Sequence, residues 1–465
     1  MSHLSRRQFL KGTVLAASAI GFSRSMLAAG QAPAVTSVRS PNGKIGTACV
    51  GVGGRGGAHL GPASTQNLVA VCDVDQKTLN KVLADHPGAK GFSDYRKMFD
   101  EMGKQFDAVF VATPDHNHAA ASMLAVKSGK HCYTEKPLTW SVHEARALAE
   151  AVAEKKVASQ MGNQGHANQG NRLIVEWIRD GAIGDVTEVH TWTNRPVWPQ
   201  GITERPPTQP VPEGLNWDCW IGPAPFRDYH EGLHGFKWRG WLDFGCGAIG
   251  DMGCHTWDNV FWSMQPDYPS CVEMLEINGS GGKETFAKQA KFRWIFPAKG
   301  PRPGFSAYWY SGGLKPETPE ELKEVAGKDG KKGELAGSGN LYIGTKGKLL
   351  VSGDYGDSPR LIPETKHIEF MEARKGKESP NKIEKSPGHH EEFLLAATGE
   401  KPWNFPKSNW SEYAGPLTEV MLLGAILEKI GQVGFKIECD PVKREIKTKE
   451  ALALIGRQYR SGWTL

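Results

Sequence analysis

Two short stretches of this chain hold the residue types that proton transfer needs. In Gly250-Asp251-Met252-Gly253-Cys254-His255-Thr256-Trp257-Asp258 the first aspartate and the histidine lie four positions apart. On a helix they share one face, so the carboxylate would orient the imidazole and stabilise its charged form. That is a general-base arrangement for drawing a proton from a hydroxyl, and Asp258, further along the same stretch, would bind another hydroxyl. The other stretch is Glu135-Lys136-Pro137. The following proline biases Lys136 towards extended backbone, and a lysine beside a second cation acquires a lowered pKa that suits a proton relay.

Both need something to accept electrons, and the stretch from Lys44 to Asp75 supplies a place for it. An apolar run from Ile45 to Val50 leads into Gly51-Val52-Gly53-Gly54-Arg55-Gly56, a G-x-G-x-x-G match placed where a strand turns into a helix. Gly51 would allow the tight turn, Gly53 close approach of a pyrophosphate, and Gly56 close packing of helix on strand. The helix amides and dipole would stabilise phosphates. A second apolar run, Leu68 to Cys72, ends at Asp73, where a carboxylate accepts hydrogen bonds from an adenosine ribose. The same carboxylate would repel a 2′-phosphate, which favours NAD over NADP.

The elements that position these groups alternate. Helical patterns at 76–85, 95–102, 119–128 and 142–155 are interleaved with short apolar strands at 108–112, 131–134 and 157–161. This predicts an α/β protein whose N-terminal part is a Rossmann fold, a doubly wound parallel sheet with its sites at the carboxyl ends of the strands. Thr113, Lys136 and Asn163 each follow a strand and should face the crevice. Gln164 and His166 follow, on the nicotinamide or substrate side.

Residues 1–32 read as an export signal, with Ser5-Arg6-Arg7-Gln8-Phe9-Leu10-Lys11 as a twin-arginine pattern, an apolar run from Gly12 to Phe22, and small residues near Ala28, Ala29 and Ala32. The run is too short for a stable membrane anchor. The segment carries Arg6, Arg7, Lys11 and Arg24 and no acid, so the formal charge of +5 falls to +1 without it. A nearly neutral protein lacks the electrostatic footprint of a nucleic-acid binder. The eight cysteines form no C-x-x-C pair, which argues for reduced thiols and against a disulfide framework or a zinc site. The domains expected are a linker at 33–43, a dinucleotide-binding domain at 44–163 and a substrate and oligomerisation domain at 164–465.

The combination of GVGGRG, VCDVD, ATPDHNH, TEKPL and GDMGCH resembles the Gfo/Idh/MocA family across essentially the whole mature chain. The resemblance implies that the lysine of EKP, here Lys136, reaches the nicotinamide end and orients or deprotonates the reacting hydroxyl, with Asp251 and His255 as catalytic or substrate-binding groups. The implied NAD contacts are Gly51, Gly53, Gly54, Arg55, Gly56, Asp73, Thr113, Pro114, His118, Glu135, Lys136 and Asn163; the implied substrate contacts are Gln164, His166, Trp238, Trp241 and Asp258. It also implies a C-terminal α+β domain with a large, mostly antiparallel sheet, one face of which is often used for oligomer contacts, as in a homodimer or homotetramer. Alternating segments at 271–278, 290–296, 340–344 and 348–352 agree with such a sheet. Residues 315–339 read as an exposed insertion, and a helix at 415–430 as a core element.

Eight of the fifteen tryptophans fall between Trp192 and Trp262, and their flat faces suit pyranose rings. Most should be core, with Trp238 or Trp241 as a sugar platform. Export adds a constraint, because outside the cytosol nothing recycles free NADH. The expectation is therefore a periplasmic or otherwise exported oxidoreductase acting on a sugar hydroxyl, with NAD bound tightly, carried through the twin-arginine machinery and regenerated in each turnover. A second reading is an NAD-dependent glycosidase working by transient oxidation, elimination, hydration and re-reduction; the intact EKP departs from the acetylgalactosaminidase branch of the family. A third, a sugar-binding relative without catalysis, is disfavoured by Lys136, Asp251 and His255 together.

Overall fold

Gly46–Val50, small and apolar but for Thr47, suits a strand covered on both faces, and every one of its five residues is buried. This strand, β1, is the centre of a six-stranded parallel sheet. The others are β2 (Asn67–Cys72), β3 (Lys90–Phe92), β4 (Ala108–Val111), β5 (His131–Thr134) and β6 (Ser159–Met161), in the order β3-β2-β1-β4-β5-β6. The order reverses at β1, which creates a crevice between the ends of β1 and β4. The computed structural model describes residues 43–323 and 333–465, so the export signal and nearly all of the linker lie outside the described residues.

The crossover helices are α1 (Gly57–Ser64), α2 (Gln76–Asp85), α3 (Tyr95–Met102), α4 (Asp115–Lys127) and α5 (Val142–Lys155). Three start at side chains that accept the otherwise unpaired first amides. Asp75 accepts from Lys77 and Asp94 from Arg96; Ser141 and Glu144 form a reciprocal capping box on α5. The helix expected from Ala119 starts four residues sooner, at Asp115. Pro114 supplies the turn before it and the Asp115 carboxylate sits in its first turn, so the Asp-His-Asn-His run is helical.

After β6 the chain forms α6 (Gln169–Arg179) and enters a nine-stranded sheet. Its members are β7 (Val186–Trp192), β8 (Cys271–Asn278), β9 (Gln289–Phe296), β10 (Phe305–Tyr310), β11 (Gly339–Gly344), β12 (Gly347–Ser352), β13 (Arg360–Ile362), β14 (Lys436–Asp440) and β15 (Glu445–Ile446). The order is β13-β12-β11-β7-β10-β9-β8-β14-β15, antiparallel except for the β7–β10 pair. In β9 burial alternates strictly, with Ala290, Phe292, Trp294 and Phe296 inward. The later helices are α7 (Gly247–Thr256), α8 (Asp258–Met264), α9 (His389–Ala397) and α10 (Gly415–Ile430), and α10 lies against that face, with Gly424 next to Phe292 and Trp294. Trp294 Nε1 donates to the Val420 carbonyl of α10 at 3.1 Å.

Two departures from expectation concern how far the second half reaches. Phe393, Leu394, Ala396 and Ala397 of α9 are buried against Ile45, Cys49, Val71 and Phe110, so the C-terminal half covers one face of the parallel sheet. A boundary at Asn163 therefore separates the sheets but not the cores. The described ends of the 315–339 insertion are anchored rather than free, since Leu335 is buried beside Trp192 and Tyr310, with Leu322 packed against them. All eight cysteines are buried free thiols. No helix among the described residues is long and apolar enough to cross a membrane.

Candidate active site and dinucleotide crevice

The loop after β1 is built to come close to its neighbours. Gly51 has φ +77°, and a side chain there would sit 2.7 Å from the Ala112 carbonyl; at Gly56 it would sit 1.9 Å from the Gly51 carbonyl. Helix α1 therefore begins in direct contact with the end of β1 and β4. A side chain at Gly54 would meet nothing within 4 Å, so the loop is open on that side. Asp73 Oδ2 accepts the Val52 and Gly53 amides at 2.9 and 3.1 Å, and Oδ1 accepts that of Asp75 at 3.0 Å. Burial raises the Asp73 pKa while these amides oppose the rise. Thr113 Oγ1, at the end of β4, is buried without a hydrogen-bond partner. An open loop beside an orphaned hydroxyl fits a dinucleotide, and Gly53, Gly54, Asp73, Thr113 and Pro114 would hold it.

Arg55, in the same loop, spans to the far side. Its Nε donates to Glu135 Oε1 at 2.8 Å and its Nη2 to Gln164 Oε1 at 3.3 Å. Glu135 is buried, which opposes its ionisation, yet His59, Arg55 and Lys136 hold its carboxyl well below the usual range.

Lys136 and α7 make the chemical centre. Lys136 Nζ donates to Asp251 Oδ1 at 2.7 Å and to the Asp251 carbonyl at 3.0 Å. Arg239 Nη1 lies 3.2 Å from the same Oδ1 and 3.5 Å from Asp115 Oδ1. Burial opposes the Asp251 charge, but Lys136 and Arg239 overcome it and keep the carboxyl well below its ordinary pKa. The helix places Asp251 and His255 one turn apart, but the expected pairing between them is absent. The carboxylate is occupied by the two cations, so it neither orients nor charges the imidazole. Burial first, and Lys136 second, push His255 down to about 3, so its ring is neutral. His255 Nδ1 is buried without a partner.

Several residues expected in the crevice belong to the interior instead. Asn163 donates to Asp258 Oδ1 at 3.0 Å and accepts from Ser408 at 2.6 Å. His166 Nδ1 meets Asp258 Oδ1 at 2.9 Å, and its ring stacks on Trp262. Tyr413 adds a third bond to Asp258 Oδ1 at 2.7 Å, so Asp258 is the hub of a buried network and offers nothing to a substrate. The ring nitrogens of His118 face the carbonyls of Pro137 and Thr113, both at 2.7 Å, fastening the β4 turn to the EKP loop. Trp241 is 1 % exposed, with Nε1 donating to the Gly232 carbonyl, and cannot be a platform. Trp238 is half-buried, stacked under the Arg239 guanidinium at 4.4 Å.

Two site residues carry no local signal in the sequence. Arg239 is one, bridging Asp251 and Asp115. The other is Tyr355, on the loop between β12 and β13, whose ring sits edge-on to His255 with centroids 4.9 Å apart and packs against Gly165. Burial raises its phenol pKa.

Sheet order, glycine loop and crevice define a dinucleotide-binding α/β protein. Residues 45–163 match the family model described as oxidoreductase family, NAD-binding Rossmann fold, and residues 174–290 match its C-terminal alpha/beta domain, together about half of the chain. The chain belongs to the Gfo/Idh/MocA family. It is 31% identical over 173 residues to inositol 2-dehydrogenase of Rubrobacter xylanophilus, covering 36% of this chain and 48% of the relative. It is 29% identical over 202 residues to a glycosyl hydrolase family 109 protein of Solibacter usitatus, covering 40% and 45%. The chain thus matches under half the length of these curated relatives. Among solved structures, the WlbA dehydrogenase of Bordetella pertussis in complex with NADH and UDP-GlcNAcA superposes with a TM-score of 0.57 at 18% identity, over 85% of this chain and 99% of that one, which shows a shared fold.

Proposed function

We propose that this protein oxidises a carbon-bound hydroxyl of a sugar or sugar derivative with a retained NAD, and that the NADH formed is reoxidised within the same turnover by passing its hydride to the carbonyl carbon of a second sugar-type substrate. One observation carries the reading: a neutral imidazole with an unpartnered nitrogen, His255, stands one helical turn from the carboxylate that grips Lys136. Bound NAD would supply the hydride acceptor. His255 takes the hydroxyl proton, and Lys136 holds the charge that develops on the oxygen. Asp251, fixed between Lys136 and Arg239, holds and aims the ammonium. Trp238 offers the apolar face on which a sugar ring rests. Asp73 disfavours a 2′-phosphate, so NAD is preferred over NADP.

Export through the twin-arginine route, with Arg6 and Arg7 as the signal, belongs to the same proposal. A protein that folds around its cofactor before export needs no outside pool of it. The proposed assembly is a homodimer or homotetramer. A second reading, glycoside cleavage by transient oxidation, draws support from the similarity to the glycosyl hydrolase family 109 protein. The test incubates the purified protein, without added NAD, with mono- and disaccharides and with aryl glycosides. A nicotinamide absorbance change with ketosugar or lactone supports oxidoreduction; release of the aryl group supports the second reading; neither outcome with any sugar refutes both.

A further inference from the structure

The chain between β7 and α7 runs for more than fifty residues and contains only short helical turns. It is nevertheless well packed. Trp217, Trp220, Tyr229, Leu233, Trp241 and Phe244 bury one another in a small core of their own. The position of that core is informative, because it is fastened to both walls of the crevice at its adenosine end. On the β2 side the fastening is a piece of antiparallel pairing between Asp75 and Leu215. The Gln76 amide donates to the Gly214 carbonyl at 2.9 Å, and the Asn216 amide donates to the Val74 carbonyl at 2.8 Å. Val74 and Leu215 pack against the same small core.

On the β4 side Asn117 Nδ2 donates to the Trp220 carbonyl at 2.9 Å, and His116 Nε2 meets that carbonyl at 2.8 Å. The His116 amide donates to the Phe244 carbonyl at 3.1 Å. His234, from the same excursion, lies near enough to Asp73 and Asp75 for both carboxylates to act on it. In a parallel sheet of this order, the adenosine half of a dinucleotide lies between the segments that follow β2 and β4. Here those two segments cannot separate without breaking bonds to a single, separately packed piece of chain.

We infer that residues 214–244 form a clasp that locks the adenosine half of the dinucleotide in place and makes its release slow. This rests on the proposed NAD binding and adds a structural cause for retention. The clasp works through the spacing of two walls rather than through the reacting atoms. Loosening it should therefore raise the dissociation rate while leaving single-turnover chemistry on the loaded protein unchanged.

The experiment loads the full-length protein with NADH and measures release by the fall in nicotinamide fluorescence after a chase with excess NAD. It compares the wild type with Leu215→Ala, which weakens the β2-side fastening by removing the side chain that packs it onto the small core, and Asn117→Ala, which removes one of the bonds to the Trp220 carbonyl; neither touches the reacting centre. The expected result is a release rate at least tenfold faster in each variant and faster still in the double variant. Hydrogen exchange on the wild type covers the case in which a variant does not fold. Binding of NADH should slow exchange at Gln76 and at Asn216 together. Release no faster in folded variants, or protection at Gln76 without protection at Asn216, overturns the clasp and leaves the NAD reading standing. A wild type that binds no dinucleotide overturns both.

Discussion

Replacing Lys136 by methionine removes a charge while keeping most of the side chain's bulk, and its consequences can be worked from the contacts. The Lys136 and Asp251 side chains are 14% and 11% exposed, and their charged atoms are 2.7 Å apart. Removing one partner of a buried ion pair costs about 3–5 kcal/mol, because the other charge is left uncompensated. Arg239 remains 3.2 Å from Asp251, so compensation is only halved and the expected loss of stability is ~2 kcal/mol. Asp251 should then titrate closer to the ordinary carboxylate range. The chemical step loses the cation that holds the developing oxyanion, which is worth about 4 kcal/mol, or a thousandfold in kcat/KM. Adding Asp251→Asn removes the stranded carboxylate, so the double variant should regain about half of the lost stability and none of the activity. Urea unfolding and nicotinamide absorbance, read on the same preparations, separate the two effects. Lys136→Met with full kcat/KM, or a double variant no more stable than the single one, would show that the pair does not do what its geometry implies.

Other expectations follow from the same contacts. His255→Gln should lower kcat by about 10²–10⁴ with little change in Tm, since the ring it replaces makes no hydrogen bond through Nδ1; unchanged kcat would remove His255 from proton transfer. Burial pushes His116, His255 and His389 down to about 3, and His131 and His390 to about 4. Each binds a proton in the unfolded chain below about pH 6.5 but not in the folded one, so stability should fall with acidification between pH 6.5 and 4, by up to ~1.4 kcal/mol per pH unit for each. A urea midpoint that holds constant across that range would contradict the burial of these rings. Trp238→Ala should raise KM for the sugar about tenfold with a small stability change, whereas Trp241→Ala should cost ~3–5 kcal/mol of stability; the reverse pattern would return the platform to Trp241.

The parallel sheet was legible because its signals are local. Apolar runs ending in Gly51, Asp73, Thr113 and Lys136 mark strand ends, and a strand end in a doubly wound sheet faces the crevice whatever lies further along. The nine-stranded sheet was partly legible, since β9 alternates cleanly, while β11 is buried along its first four residues and β13 and β15 are too short to show a period. The spacing of Asp251 and His255 correctly places them on one helix, but spacing says nothing about which partner a carboxylate takes. Its partners, Lys136 and Arg239, come from other elements, 115 residues away in the first case. Asn163, His166 and Asp258 illustrate the converse, since polar residues at a strand end can equally well satisfy one another inside the protein. Arg239 lies in the long connection before α7 and Tyr355 in the loop between β12 and β13, where nothing local marks them as neighbours of α7.

The proposed chemistry depends on a dinucleotide that stays with the folded chain. Protein purified without added nucleotide, denatured with acid and analysed by mass spectrometry, tests this most directly. Close to one NAD per chain in the released fraction is the predicted result. A fraction with no nucleotide, from protein that also takes up none when NAD is supplied, would contradict it.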